Sequence, residues 1–372
     1  MNLQEITGGG EVYTHAITRA LVQGGAEVSL YVHPGNRLWD NLEGERIRLV
    51  RASTEQEFLS RLPSTPSLVV AQGPISQECV TGILRSHRLA AFAHMPIVGE
   101  RSAVGFRRCH LVVTVSDYCI SLLRKAGIEQ VYPHPMYGTT EAQAGDGKPV
   151  VERSPYSWDG HKLRDVVLGA VEPLVEPFRS RAVFARHPGL TLGVVSLLST
   201  IKQFPLLFGC IATAMARHPQ VNLEIFGDGG YAQVRDIRRA LAPLGGRARL
   251  WGYQRNVHDI YPQLDYLLTG LPEKEALGLN VLEAQVCGTP VLAPDAPPFT
   301  ETVVPGRSGF LYRDPRLDAG AGFTALLDSI VGGRPRPDPR IEAADHLRQF
   351  SHEALVERVK PLLEALGRIV RP

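Results

Sequence analysis

The chain has 372 residues, which is enough for two domains of ordinary size. Hydrophobic residues make up 44% of it and charged residues 21%, proportions typical of a globular protein. The formal net charge of +2 supplies no overall field that would attract nucleic acid, so we expect no nucleic-acid partner.

Five cysteines are scattered through the chain without a Cys-x-x-Cys pair. This pattern favours a reducing compartment and argues against both a disulfide framework and a zinc site. The first residues lack the basic and then apolar order of a signal peptide, and no apolar run approaches the length that spans a bilayer. We therefore expect a cytoplasmic protein, and peripheral contact with the inner face of the membrane stays open.

Short apolar runs alternate with helical patterns in the first part of the chain, which is typical of a doubly wound domain. Strands are predicted at 1–6, 27–32, 47–50, 67–71, 89–93 and 110–115. A glycine-rich turn at 7–11, which contains Gly9 and Gly10, joins the first strand to the first helix. On the residues alone, these glycines fit a plain tight turn as well as a ligand site.

His94 directly follows the predicted strand at 89–93. Functional residues of open parallel sheets collect at the carboxyl ends of the strands, so His94 is a candidate site residue. The alternative is a polar side chain that hydrogen-bonds to loop backbone. Arginines near His94 in sequence could bind an acidic acceptor or anionic lipid headgroups, or form a solvated face without a ligand: Arg85, Arg88, Arg101, Arg107 and Arg108.

From 139 to about 186 the chain is rich in glycine, proline and charge, which indicates a domain boundary. We predict a first domain at 1–165, a linker at 166–189 and a second domain at 190–345. The second domain has predicted strands at 190–198, 221–226, 249–253, 265–269, 289–293 and 309–312. An amphipathic helical pattern occupies 346–372 at the end of the chain.

The stretch 271–290 combines a helix start, two spaced carboxylates and a helix stop at Gly288 and Pro290. The first helical turn falls near Gly278, Leu279 and Asn280, where backbone amides lack partners and the helix dipole favours an anion. Glu275 precedes this turn and Glu283 follows it by about one turn. A diphosphate that carries a sugar on each side fits this arrangement, because carboxylates accept hydrogen bonds from hydroxyls.

The chain reads Glu-Ala-Leu-Gly-Leu-Asn-Val-Leu-Glu-Ala from Glu275, with Cys-Gly-Thr-Pro-Val shortly after. This motif resembles the two-glutamate motif of family-four retaining glycosyltransferases (glycosyl transferases group 1), which have the GT-B fold. The resemblance implies that Glu275 contacts the donor sugar and that Glu283 holds the ribose diol. It also implies that the amides of Gly278, Leu279 and Asn280 hold the diphosphate.

Other positions resemble the family less closely. Lys202 matches a lysine that clamps the diphosphate, and Gly252 and Tyr253 match a strand end near the nucleobase. The resemblance further implies that His94 lies near the reacting sugar and that Gly9 and Gly10 approach the donor phosphates and the acceptor.

Three departures from the family pattern bear on the donor site. Leu197 stands where the family has a clamping arginine, so the diphosphate is held more weakly or is also held by Arg255 or Lys274. Pro272 and the pair at 276–277 replace the family's usual Ser and Gly-Phe, which bears on loop shape and donor choice.

The implied fold is α/β: two facing, doubly wound Rossmann-like domains with parallel sheets, and a closing helix at 346–372 that packs back on the first domain. The implied reaction transfers a sugar from a nucleotide-diphosphate sugar to a hydroxyl acceptor with retention, and His94, Lys202 and Glu275 are its catalytic residues. The acceptor could be a glycan, a lipid-linked or a small molecule. We expect no metal and no cofactor besides the nucleotide sugar as co-substrate.

Two other functions remain open at this stage. A nucleotide-sugar epimerase or hydrolase with the GT-B fold would use the same donor site without an acceptor. A non-catalytic nucleotide-sugar binder is the other alternative, and Leu197 is the residue that motivates it.

Overall fold

The computed structural model describes residues 1–5, 8–42, 44, 46–140, 147–158, 169–170 and 181–370. The chain divides into two compact units, one of Met1–Glu141 with Arg348–Pro372 and the other of Ala142–Leu347. The sequence predicts these divisions after residues 165 and 345 instead. Most of the predicted linker at 166–189 lies outside the described residues, so its extent stays a prediction.

In the part of the chain that the structure describes, the first unit contains two parallel sheets, one of two strands and one of three. Its strands within the described residues are β1 Val28–Val32, β2 Ile47–Arg51, β3 Leu68–Gln72, β4 Arg88–Ala93 and β5 Leu111–Thr114. β1 pairs with β2, and β3, β4 and β5 pair in that order. Asn2 bridges Val32, and the carbonyl oxygen of Met1 accepts a hydrogen bond of 2.9 Å from the amide of Gln72. The first two residues therefore lie between β1 and β3.

Helices connect these strands, as expected for a doubly wound unit. They are α1 Gly9–Gln23, α2 Glu55–Ser60, α3 Gln77–Leu84 and α4 Asp117–Lys125. Thr54, Ser76 and Ser116 begin α2, α3 and α4, because each side chain accepts a hydrogen bond from an amide of the first turn.

The second unit contains a six-stranded parallel sheet within the described residues. Its strands are β6 Leu190–Val195, β7 Val221–Phe226, β8 Ala248–Gly252, β9 Tyr266–Leu268, β10 Val291–Pro294 and β11 Gly309–Tyr312. The order across the sheet is β11, β10, β9, β6, β7, β8. The chain thus proceeds from β6 to one edge, returns to β9 and proceeds to the other edge. β6 and β9 flank the topological switch point, where open α/β sheets bind ligands.

Helices of the second unit follow the strands in chain order. They are α5 Phe204–Ala216, α6 Tyr231–Ala240, α7 Leu279–Val286, α8 Phe299–Thr302, α9 Pro315–Asp318, α10 Ala321–Val331, α11 Pro339–Glu342 and α12 Ala344–Leu347. Every residue of β7 is buried, as expected for a strand covered on both faces.

The last helix, α13 His352–Val370, belongs to the first unit and packs on α1. Its buried residues, Leu355, Val359, Leu362 and Leu366, recur at helical spacing and form one apolar stripe. The helix begins six residues later than the predicted start at 346. Ser351 is the reason, because its hydroxyl accepts a hydrogen bond of 3.2 Å from the amide of Ala354 and caps the first turn.

No helix of the described part of the chain is both long and apolar enough to cross a membrane.

The centre of the second unit's sheet depends on a missing side chain. A Cβ on Gly193, in the middle of β6, would overlap Cδ1 of buried Leu264 and lie 2.6 Å from its Cδ2. We predict that Gly193→Ala lowers the free energy of unfolding by about 1–3 kcal/mol through overpacking.

A double-mutant cycle measured by denaturant unfolding tests this contact. Leu264→Ala alone also destabilises the protein, because it creates a cavity. In the double variant the small residue at 264 makes room for the new methyl group. The double variant should therefore lose less free energy of unfolding than the two single variants lose together. Strictly additive losses would contradict the packing described here.

Candidate functional site

The carboxyl ends of β6 and β9 bring Lys202 and Glu275 together. Nζ of Lys202 donates a hydrogen bond to Oε2 of Glu275, and the two side chains are only 20% and 14% exposed. β6 and β9 are neighbours in the sheet, so the loops that follow them meet although 73 residues separate the two side chains. The structure therefore unites two of the predicted catalytic residues as a partly buried ion pair.

Backbone contacts hold these two loops together. The amide of Leu271 donates to the carbonyl oxygen of Lys202 at 3.1 Å. A Cβ on Gly270 would lie 2.5 Å from the same oxygen, so only glycine allows this approach. The position of Lys202 relative to the Glu275 loop is thus set by the backbone as well as by the ion pair.

A second ion pair anchors the loop before Glu275. Nη1 of Arg316 lies 2.8 Å from Oε2 of Glu273, and its Nη2 lies 2.7 Å from Oδ2 of Asp314. Glu273 is therefore fixed outward to α9, while Glu275 turns to Lys202. Two glutamates of one loop, two residues apart, have different partners, which makes Glu273 a useful control for Glu275.

The first turn of α7 is open to an anion. Gly278 precedes it with φ 85° and ψ 68°, a left-handed conformation, and no side chain caps the helix there. Leu279 and Asn280 are its first two residues, whose amides have no carbonyl partner within the helix. The side-chain amide of Asn280 donates to the carbonyl oxygen of Val195 at 3.1 Å and ties α7 to the end of β6. These amides therefore lie beside the switch point, where the sequence predicted a phosphate site.

Glu283 lies one turn further along α7 and contacts Tyr261. The Tyr261 hydroxyl donates to Oε2 of Glu283 at 2.8 Å. Tyr261 is fully buried, and burial together with the nearby carboxylate raises its pKa well above the ordinary value. Sequence reasoning missed Tyr261, because no local pattern links it to a residue 22 positions later.

Gly252 ends β8 and Tyr253 follows it; this strand lies two strands from β6, about 10 Å across the sheet. Gly252 has φ 68°, and a Cβ there would overlap the carbonyl oxygen of Ser154 and lie 2.6 Å from that of Arg153. Packing against this segment is therefore a structural reason for the glycine. Tyr253 is 54% exposed and available to a ligand.

Leu197, at the position of the family's arginine, is 60% exposed. A hydrogen bond next to Leu197 holds the backbone of this loop, since the amide of Leu198 donates to the carbonyl oxygen of Asp228 at 2.8 Å. Arg255 and Lys274 form no ion pair within the described residues, so either can turn to a ligand.

In the first unit, His94 follows β4 and contacts Gln72, the last residue of β3. Nε2 of His94 lies 2.8 Å from Oε1 of Gln72. An amide oxygen only accepts hydrogen bonds, so Nε2 carries the ring proton and Nδ1 is an acceptor. Burial lowers the pKa of His94 to about 4, and the ring is therefore neutral near pH 7. The Tyr13 ring packs edge-on against it with centroids 5.2 Å apart.

A polar cluster surrounds the start of α1. The Asn2 side chain donates to Thr14 Oγ1 at 3.1 Å and to Glu11 Oε1 at 3.3 Å, and Thr14 Oγ1 lies 3.3 Å from Oε1 of Gln72. Oε2 of Glu11 accepts a hydrogen bond of 2.9 Å from the amide of Gly8. Sequence reasoning missed Asn2, Thr14 and Gln72, whose contacts depend on the strand order.

Gly9 and Gly10 are the first two residues of α1, and so the helix starts inside the predicted turn at 7–11. Among the residues that the structure describes, a Cβ on Gly10 would meet nothing within 4 Å, so their packing does not require glycine there. The carboxylate of Glu11 already occupies the positive end of α1.

The arginines near His94 in sequence do not all surround it. Arg88 begins β4 and contacts His110 at 3.2 Å, whereas His94 follows the other end of the strand, about 20 Å away. Arg85 precedes Arg88, and Arg108 donates to Thr81 at 2.8 Å. Arg85 and Arg88 therefore lie at the amino end of the sheet, away from His94.

No group of three or more His, Cys, Asp and Glu side chains in the described ranges is arranged to hold a metal ion.

Residues 189–328 match the family model described as glycosyl transferases group 1. Over 212 residues the chain is 28% identical to the GtfA subunit of the UDP-N-acetylglucosamine–peptide N-acetylglucosaminyltransferase of Streptococcus parasanguinis. The match covers 55% of this chain and 40% of that protein. The chain is also 30% identical over 205 residues to the D-inositol 3-phosphate glycosyltransferase of Corynebacterium jeikeium, and this match covers 51% of this chain and 45% of that protein. The chain thus spans less than half the length of these relatives.

The fold resembles that of Anabaena Alr3699/HepE, solved in complex with UDP and glucose. The TM-score is 0.66 with 18% identity, over 97% of both chains. This similarity, together with the parallel sheets of both units, shows that the chain has the GT-B fold with two Rossmann-like domains, as the sequence predicted.

The lowered pKa of His94 predicts a pH dependence of stability. Its ordinary value is 6.5 and its folded value about 4, so between these pH values the unfolded chain binds a proton that the folded chain does not. The free energy of unfolding should therefore fall as the pH falls from 6.5 to 4. His94→Gln should remove part of this loss.

Denaturant unfolding at pH 6.5 and 4.5 measures the effect. His134→Gln replaces an exposed histidine of the same unit and should follow the wild type. If His94→Gln loses as much stability as the wild type on acidification, the neutral buried state assigned to His94 is wrong.

Proposed function

We propose that this chain, whose residues 189–328 match the family model of glycosyl transferases group 1, transfers a sugar from a nucleotide-diphosphate sugar to a hydroxyl group. The observation that carries the proposal is the Lys202–Glu275 pair at the switch point of β6 and β9, beside the uncapped first turn of α7. A cation, a carboxylate and free helix amides together suit a diphosphate that carries a sugar.

In this proposal Lys202 and the amides of Gly278, Leu279 and Asn280 stabilise the charge that develops on the departing diphosphate. Stabilisation of developing charge by preorganised donors is usually the largest catalytic term. The Lys202 ammonium has three protons, so it can donate to Glu275 and to a phosphate oxygen at once. Glu275 accepts hydrogen bonds from hydroxyls of the donor sugar.

The remaining predicted residues take supporting roles. Glu283 binds the ribose, and Gly252 and Tyr253 contact the nucleobase. His94 hydrogen-bonds to a sugar hydroxyl through Nδ1, because Nε2 already donates to Gln72. Gly9 and Gly10 begin α1 without side chains, which suits close approach of a ligand.

The proposal extends to stereochemistry and location. We propose retention at the anomeric carbon, no metal, and no cofactor besides the nucleotide sugar. Lys202 and the helix amides support metal independence, since they supply positive charge where a metal otherwise would. A cytoplasmic location, with peripheral contact at the inner face of the membrane, is part of the same proposal. The acceptor is a glycan, a lipid-linked or a small molecule.

Leu197 favours a second candidate, a non-catalytic binder of nucleotide sugars. Its exposed aliphatic side chain offers no charge to a diphosphate. A binder would show donor binding without release of nucleotide with any acceptor. The epimerase or hydrolase alternative would release nucleotide or sugar without an acceptor. Assays with and without an acceptor therefore distinguish the binder, and the epimerase or hydrolase, from a transferase.

The role of Glu275 predicts a selective loss of transfer. Glu275→Gln should lower the release of nucleoside diphosphate from UDP-, GDP-, ADP- or TDP-sugars, measured with a panel of simple sugar acceptors, by about a hundredfold or more. The amide removes the negative charge that orients the sugar and Lys202. Thermal unfolding should show that the variant remains folded.

Glu273→Gln is the matched control, because this glutamate lies two residues away and pairs with Arg316 instead. We expect its turnover to stay close to that of the wild type. Near-normal turnover of Glu275→Gln would refute the proposed site.

The Leu197 departure predicts a gain of affinity. Leu197→Arg should bind a nucleoside diphosphate about tenfold more tightly, which is the value of one charge-assisted hydrogen bond. Leu197→Gln, of similar size and without charge, should bind like the wild type. Calorimetric titration measures both, and equal affinities of the Arg and Gln variants would show that position 197 does not face the diphosphate.

A further inference from the structure

Tyr261 supplies a buried hydroxyl to Glu283, the carboxylate that the proposed function assigns to the ribose. The hydroxyl lies 2.8 Å from Oε2 of Glu283. Tyr261 is completely buried, whereas Glu283 is partly exposed. The tyrosine therefore approaches the carboxylate from the interior, and the other side of the carboxylate remains available to a ligand.

Other contacts keep Tyr261 in place relative to α7. Its carbonyl oxygen accepts a hydrogen bond from Oγ1 of Thr289, which follows the end of α7. Three residues before Tyr261, Nδ1 of His258 lies 3.4 Å from Sγ of Cys287. Cys287 is one helical turn after Glu283, so two contacts one turn apart join the 257–263 segment to α7.

The hydrogen bond between Tyr261 and Glu283 determines which acceptor positions of the carboxylate remain for a ligand. Burial and the neighbouring carboxylate raise the pKa of Tyr261, so its hydroxyl keeps its proton and donates it. One lone pair of Oε2 is thereby occupied and the plane of the carboxylate is set. Oε1 and the remaining lone pair of Oε2 can each accept one hydrogen bond, which matches the two hydroxyls of a ribose.

We propose that Tyr261 is a positioning residue that orients Glu283 toward the ribose 2′-hydroxyl and so makes the site select ribonucleoside over 2′-deoxyribonucleoside diphosphates. This inference rests on the proposed function and narrows the donor to ribonucleotide sugars. A site built around a hydroxyl rejects the analogue that lacks it, because its own polar group is then left without a partner.

The test measures the affinities of UDP, GDP and ADP and of their 2′-deoxy counterparts by calorimetric titration. The wild type should prefer the ribonucleotide of its best base by about tenfold or more. In Tyr261→Phe the carboxylate is free to rotate, and the preference should fall to within about threefold. Loss of general packing would weaken both ligands alike and leave their ratio unchanged.

Tyr312→Phe is the matched control. Tyr312 is buried in the same unit, and its hydroxyl has no hydrogen-bond partner within the described residues. Removing that hydroxyl should leave both affinities and their ratio at wild-type values.

Glu283→Ala provides a second test that does not require Tyr261→Phe to fold. This variant removes the carboxylate that accepts a hydrogen bond from the 2′-hydroxyl, so the ribonucleotide preference should disappear. An unchanged preference in Tyr261→Phe, or in Glu283→Ala, would overturn the inference while leaving nucleotide binding established. Failure of the wild type to bind any of the three ribonucleotides or TDP would overturn the proposed function and this inference with it. Binding of TDP alone, whose sugar lacks the 2′-hydroxyl, would overturn only the inference.

Discussion

The adjacency of β6 and β9 is the constraint on which the donor site depends. The second sheet reverses direction between these strands, so their carboxyl ends present loops that lead to helices α5 and α7. Lys202 and Glu275 come from those two loops and pair with each other. A partly buried charge is costly unless it is paired, so the ion pair stabilises both the loop arrangement and the two charges that a sugar diphosphate requires. Gly270 permits the close backbone approach that makes the pair possible.

Local sequence signals sufficed to predict much of this unit. The strands at 221–226 and 309–312 have the predicted bounds, and α7 starts directly after Gly278, as the helix signals indicated. Those predictions rest on hydrophobic runs and on a helix start and stop, which are properties of neighbouring residues. The relation between Lys202 and Glu275 was reached through a family resemblance, because no local pattern connects positions 73 residues apart.

Contacts that depend on the strand order could not be predicted from the sequence. Tyr261 and Gln72 have no pattern that marks them; each acquires its partner only when distant segments pack together. Closeness in sequence is also a poor guide to closeness in the fold, since Arg88 and His94 lie at opposite ends of the same strand. Gly252 is a third case: its close contact with the 153–154 segment gives the glycine a structural reason that its neighbours in sequence do not reveal.

We expect a nucleoside diphosphate to bind at the switch point of the second unit. The most direct measurement is a crystal structure of the chain with a bound nucleoside diphosphate, chosen from UDP, GDP, ADP and TDP by affinity. The account predicts phosphate oxygens about 3 Å from Nζ of Lys202 and from the amides of Leu279 and Asn280. A diphosphate bound elsewhere, with Lys202 still paired only to Glu275 and the first turn of α7 without a ligand, would contradict it.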